Sequence, residues 1–214
     1  MFWRHDLIWL TGAGWDAALQ RALPGQHGAI EQWRRADWPA IARRADVGLA
    51  PGRIGLGIPL PPAPGGVKGR IALDAAHGDV ARRSAPLALA DAARAAPGHW
   101  RPALDALASG MALRAYGSLA MQAITALPYL TAASDIDLLF FPPDAPALRS
   151  GLALLEQHAA VLPLDGEIVF PSGAAVAWKE WIGAAGNGAR VLVKDAGAVR
   201  LATIDHLLAT LEAA

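Results

Sequence analysis

Cysteine is absent from all 214 residues, so the chain has no disulfide framework and no thiolate metal site. Nothing in its composition points to an oxidising compartment. Net charge is missing too, because 19 basic and 19 acidic residues cancel. That balance argues against a protein that coats nucleic acid or lies on an anionic membrane, so anionic ligands must be met by local clusters. Charged residues make up 18% of the chain and hydrophobic ones 54%, the reverse of a disordered sequence. One uncharged stretch, 115–134, has the length of a membrane span. It contains Gly117, Ser118, Gln122, Thr125, Pro128, Thr131 and Ser134, which argue against one. Charges at positions 4–6 interrupt the place where a signal peptide's apolar region would run. The six histidines show no ligand spacing, and without cysteine no zinc site is expected. These exclusions leave a cytoplasmic protein, with no nucleic acid and no membrane as partners, and enough chain for one large domain or two small ones.

Proline and glycine divide what is present. "LIWL" (7–10) reads as a strand and "GWDAALQRAL" (14–23) as a helix stopped at Pro24-Gly25. "IEQWRRADWPAIARRA" has helical spacing broken at Pro39, and its second half suits a strand equally well. "RIGLGIPL" (53–60) and "VKGRIAL" (67–73) flank a Pro/Gly loop as a hairpin. From about Leu87 the composition turns helical, with "LALADAARAA" as one alanine-rich helix and "PALDALASG" as another. Then come a strand "ALRAYGS", a helix "LAMQAITAL" (119–127), a strand "DIDLLFF" (135–141) and a helix "APALRSGLALLEQHAAV". "GEIVF" and "AAVAWKEW" read as a hairpin across Pro171-Ser172-Gly173, followed by a strand "ARVLVKD" and a closing helix "TIDHLLATLEA". No fixed-period repeat is visible. The expected division falls near residues 80–90: a smaller N-terminal α/β module over 1–85 and an α/β (α+β) part over 86–214, a mixed sheet flanked by helices.

Residues 116–140, "YGSLAMQAITALPYLTAASDIDLLF", hold no Lys, Arg, His or Glu, yet place Asp135 and Asp137 among Ile136, Leu138, Leu139 and Phe140. Residues i and i+2 of a strand share a face, so these carboxylates project together, about 7 Å apart along the chain. Two such groups repel each other and are costly to desolvate without a counter-charge. No Lys or Arg follows until Arg149, so a divalent cation is the simplest partner, and Mg²⁺ suits carboxylates shared with phosphates. Alone, the pair equally reads as two solvent-facing residues at a strand end. Gly117-Ser118, between strand and helix, adds unpaired backbone N–H groups suited to a phosphate, although Ser118 alone reads as an N-cap. Asp165 and Glu167 lie two apart on a further strand; one is the third carboxylate and the other a cap for a turn at Gly166. Arg43-Arg44, Lys68, Arg70 and Lys194 are local cations for a polyanionic substrate, with Lys68 and Arg70 expected on one strand face. "GAAGNG" (183–188) imitates a dinucleotide fingerprint but reads as a turn, "YGSLA" lacks the second glycine of a nucleophile elbow, and Trp178 is a candidate wall for an adenine.

The pattern Gly-Ser followed by Asp-x-Asp in an apolar strand resembles the polymerase-β-like nucleotidyltransferase superfamily, with a longer spacer of 16 residues between Ser118 and Asp135. The whole string, with "RHDLIWL", "GLGIPLPP", "KGRIAL", "DGEIVFPSGAAVAWKEW" and "VLVKD" in the same order, resembles the phosphoribosyl-dephospho-CoA transferases of malonate decarboxylase, its holo-acyl-carrier-protein synthases. That resemblance implies a nucleotidyltransferase-like sheet. It implies a Mg²⁺-dependent transfer from 2'-(5-triphosphoribosyl)-3'-dephospho-CoA to a serine of the apo acyl-carrier subunit, with pyrophosphate released. It further implies metal at Asp135 and Asp137, a third ligand or base at Asp165 or Glu167, and phosphate contacts at Gly117 and Ser118. Two alternatives keep the fold: nucleotidyl transfer to a small-molecule hydroxyl, and a catalytically silent nucleotide-binding protein.

Overall fold

The computed structural model describes residues 2–184, 188–195 and 197–212. Its chain separates into two units, Met1–Pro86 with Leu127–Tyr129, and Leu87–Ala126 with Leu130–Ala214.

In the first unit, strand β1 (Leu7–Leu10) leads to Thr11, whose hydroxyl accepts from Gly14 N–H at 3.1 Å and opens helix α1 (Gly12–Arg21). Helix α2 (His27–Arg35) follows, and Trp15, Ala18, Ile30 and Trp33 form the buried face of the pair. The break at Pro39 gives a short strand, β2 (Ala40–Ala42), as one of its two readings allowed. The expected hairpin is present as β3 (Arg53–Pro59) and β4 (Arg70–Ala76), paired from Arg53↔Ala76 to Pro59↔Arg70. Strand β4 begins at Arg70, so Lys68 stands outside it and the shared strand face expected of these two is not formed. A fifth strand, β5 (Val80–Ser84), carries no apolar alternation and was not expected. It pairs with β1 and its Arg83 reaches the buried Asp6 at 2.6 Å, so an ion pair and a ladder hold it where hydrophobic burial does not. The five strands form an antiparallel sheet in the order β4-β3-β2-β1-β5. The Tyr129 hydroxyl donates to the Pro59 carbonyl at 2.8 Å, so the middle of the long spacer between Ser118 and Asp135 belongs to this unit.

The second unit opens with β6 (Leu87–Ala88), α3 (Leu89–Ala92) and a 3₁₀ turn over Ala93–Ala95. The single alanine-rich helix expected there is thus divided, its first residues paired with a strand. Then follow α4 (Arg101–Gly110), β7 (Leu113–Ala115), α5 (Gly117–Thr125) and β8 (Ile136–Phe140). Helix α6 (Ala145–Ala159), capped by Asp144 accepting from Ala147 N–H at 2.7 Å, makes the crossover to β9 (Leu164–Val169). The second expected hairpin forms, but "AAVAWKEW" splits into β10 (Ala175–Ala177) and α7 (Trp178–Gly183). Strand β11 (Arg190–Lys194), an unforeseen edge strand β12 (Val199–Thr203) and helix α8 (Ile204–Glu212) complete the unit. "GAAGNG" falls largely on 185–187, outside the described residues.

The sheet order is β12-β11-β10-β9-β8-β7-β6, and β8–β9 is its parallel pair. One face packs Ile136, Leu138, Phe140, Ile168, Val176, Val191 and Val193 against helical residues such as Leu104, Leu107, Leu119, Leu148 and Leu207. The fold is therefore α+β, with a mixed sheet flanked by helices and an antiparallel N-terminal sheet. Among the described residues no helix is long and apolar enough to cross a membrane.

Candidate functional site

Alternation along β8 buries Ile136, Leu138 and Phe140 in the helical core and turns Asp137 to the opposite face. The parallel register sets Asp137 directly beside Asp165 of β9, with Leu138↔Gly166 and Leu139↔Glu167 following. Strand neighbours in register lie about 5 Å apart, so Asp137 and Asp165 form an adjacent carboxylate pair. Asp135 stands just before β8 and is exposed, rather than being the first residue of the strand. The start of β8 is fixed by Ile136 N–H donating to the Pro163 carbonyl at 2.8 Å.

Gly166 explains how β9 comes so near. It has φ +138°, and a Cβ there would lie 2.7 Å from the Leu138 nitrogen and nearer still to its carbonyl oxygen. Gly166 is thus a strand residue at a close backbone approach, not a turn, and neither Asp165 nor Glu167 caps it.

Gly117 plays a related part at the other side of Asp137. It has φ +65° and opens α5, and a Cβ on it would lie 2.9 Å from Asp137 Cγ and closer to Oδ2. Room that the sequence suggested for a phosphate is taken by the Asp137 carboxylate, against the first turn of a helix whose dipole favours an anion. Tyr116 N–H donates to the Asp137 carbonyl at 3.0 Å and ties the two segments together. The N-cap is Tyr116 without a side-chain cap, so Ser118 is not the cap; it lies one position inside α5 and is buried.

The missing counter-charge comes from the end of the chain. Lys194 Nζ lies 3.0 Å from Oε1 of Glu167, a carboxylate only 4% exposed. Lys179 Nζ lies 3.7 Å from Asp165 Oδ1, with both side chains about half exposed. The expectation that cations are lacking held only for sequence neighbours; parallel pairing and the following hairpin bring two lysines to the acidic strands. As part of a strand, "WKEW" gives Lys179 no special place; the structure makes it a helix. Helix α7 presents the lysine, and Glu180 fixes that helix by accepting from Leu192 N–H at 2.7 Å.

The other candidates stand elsewhere. Lys68 and Arg70 belong to the N-terminal unit, where the methylenes of Arg70 cover Gly57. Arg43 is engaged by Asp46, whose hydrogen bond raises the guanidinium above its ordinary range while lowering the Asp46 carboxyl. Trp178 is 4% exposed within the core and does not form an open wall; its indole N–H is buried without a hydrogen-bond partner among the described residues.

A site for Mg²⁺ built from three carboxylates is not formed: among the described residues no group of three His, Asp or Glu side chains gathers as a ligand set. Two neighbours, Asp137 and Asp165, are the donor pair present, and Mg²⁺ completed by water and substrate phosphates asks no more of a protein. The Lys179 ammonium already stands beside one of the two, Asp165.

The in-register carboxylates of β8 and β9, the glycine that opens α5, Lys194 of β11 and Lys179 of α7 are what the structure brings together here. The chain matches two family descriptions in tandem: the phosphoribosyl-dephospho-CoA transferase MdcG N-terminal domain over residues 3–86 and the MdcG C-terminal domain over residues 88–205. It is 42% identical over 205 residues to a phosphoribosyl-dephospho-CoA transferase of Xanthomonas campestris pv. campestris (strain 8004), covering 92% of each chain. A relative of the same name from Bradyrhizobium diazoefficiens is 39% identical over 202 residues, covering 90% of this chain and 86% of its own. No solved structure matches. The chain belongs to the phosphoribosyl-dephospho-CoA transferase family, and it is a transferase.

Proposed function

We propose that this protein transfers the phosphoribosyl-dephospho-CoA group of 2'-(5-triphosphoribosyl)-3'-dephospho-CoA to a serine of the apo acyl-carrier subunit of malonate decarboxylase. The observation that carries this is the in-register pair Asp137↔Asp165 beside Gly117. Residues 1–85 serve as the substrate-recognition module and 86–214 as the nucleotidyltransferase-like catalytic domain. The acceptor serine Oγ bonds to the α-phosphorus, the α–β phosphoanhydride bond breaks, and pyrophosphate leaves. Asp137 and Asp165 would hold Mg²⁺, which supplies charge neutralisation at the phosphates and favours in-line attack, with Asp135 outside the strand as a further carboxylate at its start. Glu167 holds Lys194 as a fixed positive charge for the polyphosphate, so Asp165, not Glu167, is the better partner of Asp137 and the better acceptor of the hydroxyl proton. Gly117 and Ser118 set the turn that aims Asp137, and through that carboxylate they act on the phosphate. Lys68 and Arg70 are exposed cations for the dephospho-CoA part. A chain without cysteine is at home in the reducing cytoplasm.

Incubating purified protein, Mg²⁺, precursor and apo carrier is expected to add one phosphoribosyl-dephospho-CoA mass to a single carrier serine, with equimolar pyrophosphate. Asp137→Asn should abolish both while circular dichroism stays native. An unmodified carrier with a nucleotidylated small alcohol would replace the acceptor; nucleotide binding with no metal-dependent turnover would mean a silent relative.

A further inference from the structure

The two lysines beside the acidic strands are held very differently. Lys194 is hydrogen-bonded at 3.0 Å to a carboxylate 4% exposed, so it is locked in place. Lys179 reaches Asp165 only to 3.7 Å, beyond hydrogen-bond length, and its side chain is 55% exposed. Its backbone, by contrast, is firmly seated. Trp178 and Trp181 on either side are 4% and 8% exposed in the core, and Glu180 accepts from Leu192 N–H. Lys179 is thus a loosely paired, half-exposed side chain on a seated backbone, its ammonium 3.7 Å from the carboxylate that neighbours Asp137 and 5.6 Å from the centre of the Trp178 ring.

We propose that Lys179 is a positioning residue that exchanges partners: it neutralises Asp165 in the substrate-free protein and swings to the substrate's polyphosphate when a divalent cation takes Asp165 over. This rests on the reading of Asp137 and Asp165 as the cation-binding pair. An ammonium and a divalent cation on one carboxylate repel each other, so arrival of the second expels the first. The displaced ammonium then meets the anionic group that accompanies the cation. The weak, half-exposed ion pair is the reason the exchange costs little.

The test uses the intact protein and Mn²⁺ as the probe, titrated by electron paramagnetic resonance without substrate, beside steady-state kinetics with the triphosphoribosyl precursor. Lys179→Met should bind Mn²⁺ about two- to fivefold more tightly than the wild type, the range set by an exposed ion pair. The same variant should raise KM for the precursor severalfold with a smaller change in kcat, and Lys179→Arg should restore KM. A purely structural lysine would not move the two readouts in opposite senses. Unchanged or weaker Mn²⁺ binding in Lys179→Met, with wild-type binding intact and sensitive to Asp137→Asn, overturns the exchange alone. Absence of Mn²⁺ binding in the wild type overturns the cation-binding pair, and the exchange with it.

Discussion

Glu167 offers the clearest energetic test of how the site is built. Its carboxylate is 4% exposed and sits 3.0 Å from Lys194 Nζ, whose side chain is 38% exposed. Breaking a fully buried pair by removing one member costs about 3–5 kcal/mol. Water reaches the lysine side, so Lys194→Met is expected to cost about 2–3 kcal/mol at pH 7. For a chain of this size that lowers Tm by roughly 5–10 °C. Glu167→Gln keeps an acceptor for the ammonium and should cost about 1 kcal/mol. Replacing both by apolar groups, Glu167→Leu with Lys194→Met, should recover most of the loss, since a desolvated pair adds little over well-packed hydrocarbon. Thermal unfolding followed by tryptophan fluorescence would give the cycle, and phosphoryl transfer should stay low in the stable double variant because the fixed cation is gone. A Lys194→Met protein as stable as the wild type, or a double variant no better than the single, would refute the pairing as a structural support for the site.

Two other outcomes follow from individual contacts. Gly117→Ala puts a Cβ into the space of the Asp137 carboxylate and an alanine at φ +65°, so it should cost about 1–2 kcal/mol and nearly abolish transfer in a protein that still melts cooperatively; a fully active variant would show that Asp137 need not sit there. Burial raises the Tyr129 phenol well above the ordinary tyrosine range. Its contribution to stability is complete below the unfolded pKa of about 10 and is lost as pH climbs beyond it. In an alkaline absorbance titration one phenolate should therefore appear together with unfolding, and Tyr129→Phe should remove that step.

What the sequence disclosed and what it withheld have physical reasons that differ residue by residue. Strands such as β3, β4, β8 and β11 announce themselves because β4 and β11 alternate between buried and exposed positions while β3 and β8 are short, largely buried apolar runs. Strands β5 and β12 do not: most of their residues are exposed, and pairing with β1 or β11 decides their conformation. The acidic pair was half visible in the same way. Spacing put Asp135 and Asp137 on one face, but the stronger neighbour of Asp137 is Asp165, brought in by a parallel register that no local pattern encodes. Lys194 is legible as a cation for the substrate but not as the partner of Glu167, and Lys179 is not legible at all, because both reach the acidic strands through the segments that follow β9. Gly117 shows the limit most sharply. Gly-Ser between a strand and a helix points to a phosphate as the group it makes room for, and the φ of +65° at Gly117 is seen only in the structure. Which group fills the space depends on where β8 lies, and β8 places a carboxylate there. The glycine therefore acts on the phosphate through Asp137, which is why replacing it should remove activity before it removes the fold.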